Sequence, residues 1–301
     1  MKALKVIGIV VGGLVVIAAA GLGAIYAKSS GVIGATYDVP EVALSLPTDS
    51  SSLARGRHLV EAVAKCIDCH GADLGGTVFV DGMPFARIIA PNLTRGRGGV
   101  TAAYTDAQLL RAIRHGVRRD GRGLAIMPAP SYIYLSDADL TAIAAYVRGV
   151  PAVDRELPAS QYGPISRMLL AMGKLPVFGA ALVDHQRTER FDVPEDTTAA
   201  YGRYLTAIGG CRECHNSSFS GGPIPGADPE SPPAADITPT GIGSWSYEQF
   251  REFFRTGLTP GGRTVEDRFM PWRNSGRMSE TEFRAVWNFL RSLPPRAFGE
   301  T

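Results

Sequence analysis

Two pentapeptides carry the chemistry of this chain: Cys66-Ile67-Asp68-Cys69-His70 and Cys211-Arg212-Glu213-Cys214-His215. Both read C-x-x-C-H. Two thiols three residues apart reach the two vinyl groups of one porphyrin as thioethers. The histidine that follows projects under the ring and supplies a proximal nitrogen to iron. The motifs use all four cysteines, so none remains for a disulfide. A thioredoxin-like C-x-x-C needs a βαβ setting that neither flank offers, and a zinc site usually draws four ligands from closer pairs. The expected cofactors are two covalently bound haem c groups on Cys66, Cys69, Cys211 and Cys214, with His70 and His215 as proximal iron ligands.

Methionine sulfur at the sixth iron position gives a low-spin haem of raised potential, suited to electron transfer. Met127 lies 57 residues after His70 and Met270 lies 55 after His215, each followed by proline. These two are the expected axial ligands. Met83-Pro84 has no counterpart after His215. His58 aligns with Tyr204 and His115 with Thr256, so neither histidine position is a ligand in the second copy. Met168, Met172 and Met278 lack matched partners and are assigned to packing or surface.

The elements that must position these groups come as a repeat starting at residue 53. Gly56-Arg57-His58-Leu59 recurs as Gly202-Arg203-Tyr204-Leu205, and Asn92-Leu93-Thr94 as Asp236-Ile237-Thr238. Tyr104 matches Trp245, Arg114-His115-Gly116 matches Arg255-Thr256-Gly257, and Gly121-Arg122 matches Gly262-Arg263. A repeat this long suits a duplicated domain rather than a solenoid. Thr105-x-x-Gln108 and Ser246-x-x-Gln249 are capping boxes for helices that Gly116 and Gly257 close, and Ser136 and Ser279 open the last helix of each copy. Neither copy shows a convincing alternating strand, so the expectation is an all-α protein.

Candidate pocket residues are Asn92, Thr94, Tyr104, Arg122, Thr238, Trp245 and Arg263. The uncharged polar ones would bond a haem propionate and the aromatics would cover an edge. Arg122 and Arg263, with Arg114 and Arg255, would neutralise propionate charge. The plainer reading makes the glycines turns and the arginines a solvated face.

Residues 6–27 are uncharged and mostly apolar, long enough to cross a bilayer, with Lys2 and Lys5 before them. This predicts a single-pass anchor with the N-terminus cytoplasmic and the rest in the periplasm. A cleaved signal peptide ending near Ala18-Ala19-Ala20 is the rival reading. Without Lys2, Lys5 and Lys28 the chain has 28 basic against 29 acidic side chains, and no basic surface argues for nucleic acid. The expected organisation is an anchor over 1–28, a tether over 29–52, haem domains over 53–151 and 196–301, and an interdomain linker over 152–195. Met168, Leu169, Leu170, Val177 and Phe178 in that linker form either a helix packed between the domains or a patch that docks on a partner or the membrane.

The G-R-x-L stretch before each C-x-x-C-H, the N/D-hydrophobic-T segments, Gly241-Ile242-Gly243-Ser244-Trp245 and the paired M-P together resemble the class I c-type cytochromes. More closely, they resemble the cytochrome subunits of membrane-bound alcohol, aldehyde and gluconate dehydrogenases. The resemblance covers residues 53–298. It implies tandem cytochrome c domains, each around one haem, behind a transmembrane helix. It also implies an electron carrier rather than an enzyme, taking electrons from a dehydrogenase or quinone-linked donor to a terminal oxidase or soluble cytochrome. A dihaem peroxidase needs one iron open to peroxide, which two M-P motifs oppose; a terminal-oxidase subunit is the third reading.

Overall fold

A computed structural model describes residues 2–41, 43–187, 191–227 and 230–301. Helix α1 (Lys2–Ile33) is one apolar rod, roughly 48 Å long at 1.5 Å per residue. It continues through the first residues of the expected tether. The cause is tertiary: the Arg167 guanidinium stacks over the Tyr26 ring at 4.8 Å and donates to Ser29 Oγ (3.1 Å) and Ser30 Oγ (3.2 Å).

A first set of helices follows: α2 (Ser50–His58), α3 (Cys66–His70), α4 (Asp106–His115), α5 (Ala129–Tyr132) and α6 (Asp137–Gly149). Helix α7 (Pro164–Ala171) packs on the end of α1 rather than between the two sets. The second set is α8 (Ala199–Ile208), α9 (Cys211–His215), α10 (Pro239–Ile242), α11 (Tyr247–Thr256), α12 (Trp272–Ser275) and α13 (Glu280–Ser292). Both expected capping boxes are formed, with Thr105 and Ser246 accepting from Gln108 and Gln249 N–H, and left-handed Gly116 and Gly257 end the same helices. Cys66 lies ten positions after Gly56 but Cys211 only nine after Gly202. One π-helical turn at Leu59–Val63 takes up the extra residue without turning the motif away.

The fold is mostly helical but not all-α. Strands β1 (Thr77–Gly82), β2 (Ala86–Ala90) and β3 (Gln161–Tyr162) form an antiparallel sheet in the order β1-β2-β3. A register shift between Val78 and Val80 breaks the period-two pattern by which a strand is recognised, so the apolar run Val78-Phe79-Val80 does not alternate.

In each set the first and last helices cross at a glycine. A Cβ on Gly56 would strike the Ala142 carbonyl of α6, and one on Gly202 the Ala285 carbonyl of α13. Because a helical carbonyl cannot rotate aside, Gly56→Ala and Gly202→Ala are each expected to destabilise by about 1–3 kcal/mol in thermal unfolding. Gly149→Ala, with nothing within 4 Å, serves as the neutral control.

The two sets meet through charge as well as apolar packing. Arg55 of α2 donates from Nε and Nη2 to both Asp139 oxygens (3.0 Å each) and from Nη1 to Glu282 Oε1 (3.0 Å). Tyr204 OH donates to Asp139 Oδ2 (2.6 Å), while His58 Nε2 lies 2.6 Å from Glu282 Oε2. Asp139 and Glu282 hold the same place at the start of α6 and α13, so each set's last helix is gripped by the other's first. Burial alone would raise the Glu282 pKa. The His58 contact, the Ser279 N–H and the Arg55 charge outweigh it and hold the carboxyl below its ordinary 4.5. A depressed folded pKa supplies stability above pH 4.5 that is lost as pH falls through the lower folded value. Glu282→Gln should therefore flatten the acid limb of a stability–pH profile.

Candidate haem sites

Each C-x-x-C-H is a single helical turn set by its flanks. Lys65 (φ 52°) enters α3 and Gly210 (φ 72°) enters α9, both left-handed; Gly71 (φ 79°) and Asn216 (φ 61°) lead away. Lys65 tolerates this backbone because its Nζ donates to Val63 O (3.0 Å) and Gly209 O (2.9 Å).

The histidines are fixed alike. His70 Nδ1 lies 2.9 Å from Pro91 O, and His215 Nδ1 lies 2.7 Å from Ala235 O. A carbonyl only accepts, so Nδ1 carries the proton and Nε2 keeps its lone pair for a metal. Burial lowers the pKa of both imidazoles against the opposing carbonyl bonds, which favours the neutral, ligating form. Burial also pushes the Cys66 thiol up to about 11 and Cys69 up to about 12. Inert thiols of this kind do not suit thiol–disulfide exchange.

Cys66, Cys69, His70 and Met127 line one cavity of about 340 Å³, walled by Leu93, Tyr104, Leu109, Ile113, Tyr132 and Val147. The sheet supplies Phe79, Ile88 and Ala90 to the same wall. This apolar chamber, with two thiols and a poised imidazole beside a thioether, fits a haem. Bound haem supplies a one-electron iron couple. The chain would hold such a group through Cys66 and Cys69, keep water from it with the apolar wall, and offer His70 and Met127 as candidate iron ligands.

The methionine loops match in detail. Leu124 N–H donates to Gly116 O (2.7 Å) and Val265 N–H to Gly257 O (2.8 Å); Ala129 N–H donates to Met127 O (2.8 Å) and Trp272 N–H to Met270 O (2.7 Å). Met127 and Met270 are both half-buried against the main core.

The remaining sequence candidates divide. Tyr104 lines the cavity; Trp245 is half-buried, its edge on Phe253 with ring centres 6.0 Å apart. Asn92 and Thr94 instead tie the chain after the motif to the linker, Asn92 Nδ2 donating to Val153 O (2.7 Å) and Thr94 Oγ1 accepting from Val153 N–H (2.9 Å). Thr238 caps α10. Arg122 is exposed beside Asp120 and is not on the cavity wall, and Arg263 is exposed. Arg114 is buried and donates to Leu135 O and Asp137, while Arg255 pairs with Glu252 in solvent.

Sequence reasoning missed Arg148 and Arg291. Arg148 donates to Thr101 O and Tyr104 O, and Arg291 to Gly243 O, clamping the loops that lead into α4 and α11; Thr101 and Tyr104 also line the cavity. Their matched places near the ends of the last helices were the available signal. It also missed a reciprocal contact: Ser131 donates to Glu213 of the second motif and Asn274 to Asp68 of the first. The short helix after each methionine, α5 or α12, thus grips the other set's attachment motif. The first cavity accordingly reaches Gly209, Gly210, Glu213 and Cys214.

Known proteins bear on this geometry. The family "cytochrome c oxidase, cbb3-type, subunit III" matches residues 51–147. The fructose dehydrogenase cytochrome subunit of Gluconobacter japonicus is 31% identical over 83% of this chain and 55% of its own length. The chain belongs to the cytochrome c family. The gluconate 2-dehydrogenase cytochrome c subunit of Pantoea cypripedii is 28% identical over 82% of this cytochrome and 60% of its own length. A diheme cytochrome c-type protein of Cereibacter sphaeroides is 26% identical over 85% of this cytochrome and 89% of its own length. This cytochrome spans little more than half the length of the two dehydrogenase subunits. The cytochrome c family implies covalent haem c.

Proposed function

We propose that this cytochrome is a tandem of two haem c domains, His70/Met127 and His215/Met270, anchored by α1 with both domains in the periplasm. It passes electrons from a dehydrogenase or quinone-linked donor to a terminal oxidase or a soluble cytochrome. The observation that carries this reading is the cavity that brings His70 and Met127 together, a pair that fills both axial positions and leaves no iron site for substrate. The reach of that cavity to Cys214 supports direct transfer between the haems. The dehydrogenase subunits among the relatives support the donor, and the Arg167 grip on Tyr26, Ser29 and Ser30 supports retention of α1 in the mature protein.

The test offers the reduced protein an oxidised soluble cytochrome c or hydrogen peroxide. Rapid electron transfer to the former without peroxide turnover is expected; steady peroxide turnover would mean an open iron and sink the carrier reading. The match of residues 51–147 to an oxidase subunit favours a second reading, membership of a terminal oxidase. Tagged full-length protein pulled from native membranes decides between them, a flavin- or quinone-dependent dehydrogenase being expected and a haem–copper oxidase favouring the alternative.

A further inference from the structure

We infer that α7 is an interfacial helix whose exposed apolar face lies in the lipid surface beside the anchor; this rests on α1 crossing the bilayer. Ile165, Met168 and Met172 fall at i, i+3 and i+7, on one face, and are 43%, 42% and 59% exposed. Ser166, Leu170 and Ala171 on the other side are buried. What covers the exposed face follows from depth. The apolar run of α1 ends at Ala27, so Tyr26 through Ser30 leave the hydrocarbon at the headgroup level, where tyrosine is preferred. Arg167 sits on Tyr26, Ser29 and Ser30, which places α7 at that same level.

The charge agrees with a lipid surface. Lys28 lies on α1 between Tyr26 and Ser29, Arg167 on α7 and Lys174 three residues past its end, and no acidic residue occurs between Glu156 and Asp184 in the sequence. Met side chains adapt to a disordered apolar boundary. The docking also reaches the first haem site: Ser166 Oγ donates to Phe85 O (2.7 Å) and Gly163 N–H to Phe85 O (2.8 Å), in the hairpin turn between the strands that wall the cavity. A seated α7 therefore holds the first cavity at a fixed height and tilt above the membrane.

The full-length, haem-loaded protein in nanodiscs of phosphatidylcholine and phosphatidylglycerol, with a diazirine on an upper acyl carbon of the phosphatidylcholine, provides the test. After photolysis, lipid adducts are mapped by mass spectrometry. Adducts on both α1 and residues 164–175 are expected, with those on 164–175 lost in Met168→Glu/Met172→Glu while α1 adducts and haem content stay unchanged. Adducts confined to α1 would overturn the inference and leave the face to a protein partner or a second copy. Absence of adducts from α1 would overturn the anchor reading itself, and this inference with it.

Discussion

Met127→Ala is expected to convert one of the two haems from low-spin to high-spin or water-ligated, leaving the other intact, and Met270→Ala to do the reverse. Thioether ligation favours the reduced iron and raises its potential. Its loss should lower the affected couple by on the order of 0.1–0.3 V, within the roughly 0.8 V that axial ligands span. Low-temperature EPR of the oxidised protein and a spectroelectrochemical titration read both effects. The loops that carry the methionines are held by their own main-chain bonds, from Leu124 N–H to Gly116 O and from Val265 N–H to Gly257 O, so truncating the side chain should leave the backbone in place. An unchanged spectrum and potential in either variant would remove that methionine from the ligand set. Met83→Ala is the control: Met83 is exposed in the turn between β1 and β2 and should change neither reading.

The second large effect concerns the junction of the two helix sets. Arg55→Ala should destabilise the whole protein by about 3–5 kcal/mol, because it strands two carboxylates that its guanidinium neutralises. The Glu282 side chain is 3% exposed and that of Asp139 11%, so water cannot replace the lost cation well. Tyr204 still donates to Asp139 and His58 still faces Glu282, which leaves the pair strained rather than wholly unpartnered. Arg55→Ala combined with Glu282→Gln should recover part of the loss, since one buried charge is then removed with its partner. Denaturant unfolding of the haem-loaded variants measures both. Arg55 joins helices of both sets, so the expected transition shifts as one; a split into two transitions would show that the sets unfold independently.

These effects mark where sequence was informative and where it was not. The attachment motifs, the Met-Pro pairs and the capping serines and threonines are local: their chemistry depends on neighbours a few residues away, and spacing reveals it. The sheet escaped notice because a register shift at Val78 to Val80 hides its period. Asn92 and Thr94 looked like propionate ligands by polarity alone, yet their partner is Val153, some sixty residues on. Arg55 with Glu282, Ser131 with Glu213 and Asn274 with Asp68 join residues 82 to 227 positions apart. No periodicity encodes such pairs. The repeat did hold a clue, because Asp68 and Glu213 occupy the same place in their motifs, as do Asp139 and Glu282 in their helices. Matched acids at an interface between two similar halves are a pattern worth seeking in other duplicated sequences.

The most direct test of the account is a pyridine haemochrome assay on the matured full-length protein, with haem counted against protein. Two haem c per chain, each joined through two thioethers, is the predicted result. A single haem c per chain would contradict it and leave one C-x-x-C-H, with its histidine and methionine, without the role argued for it.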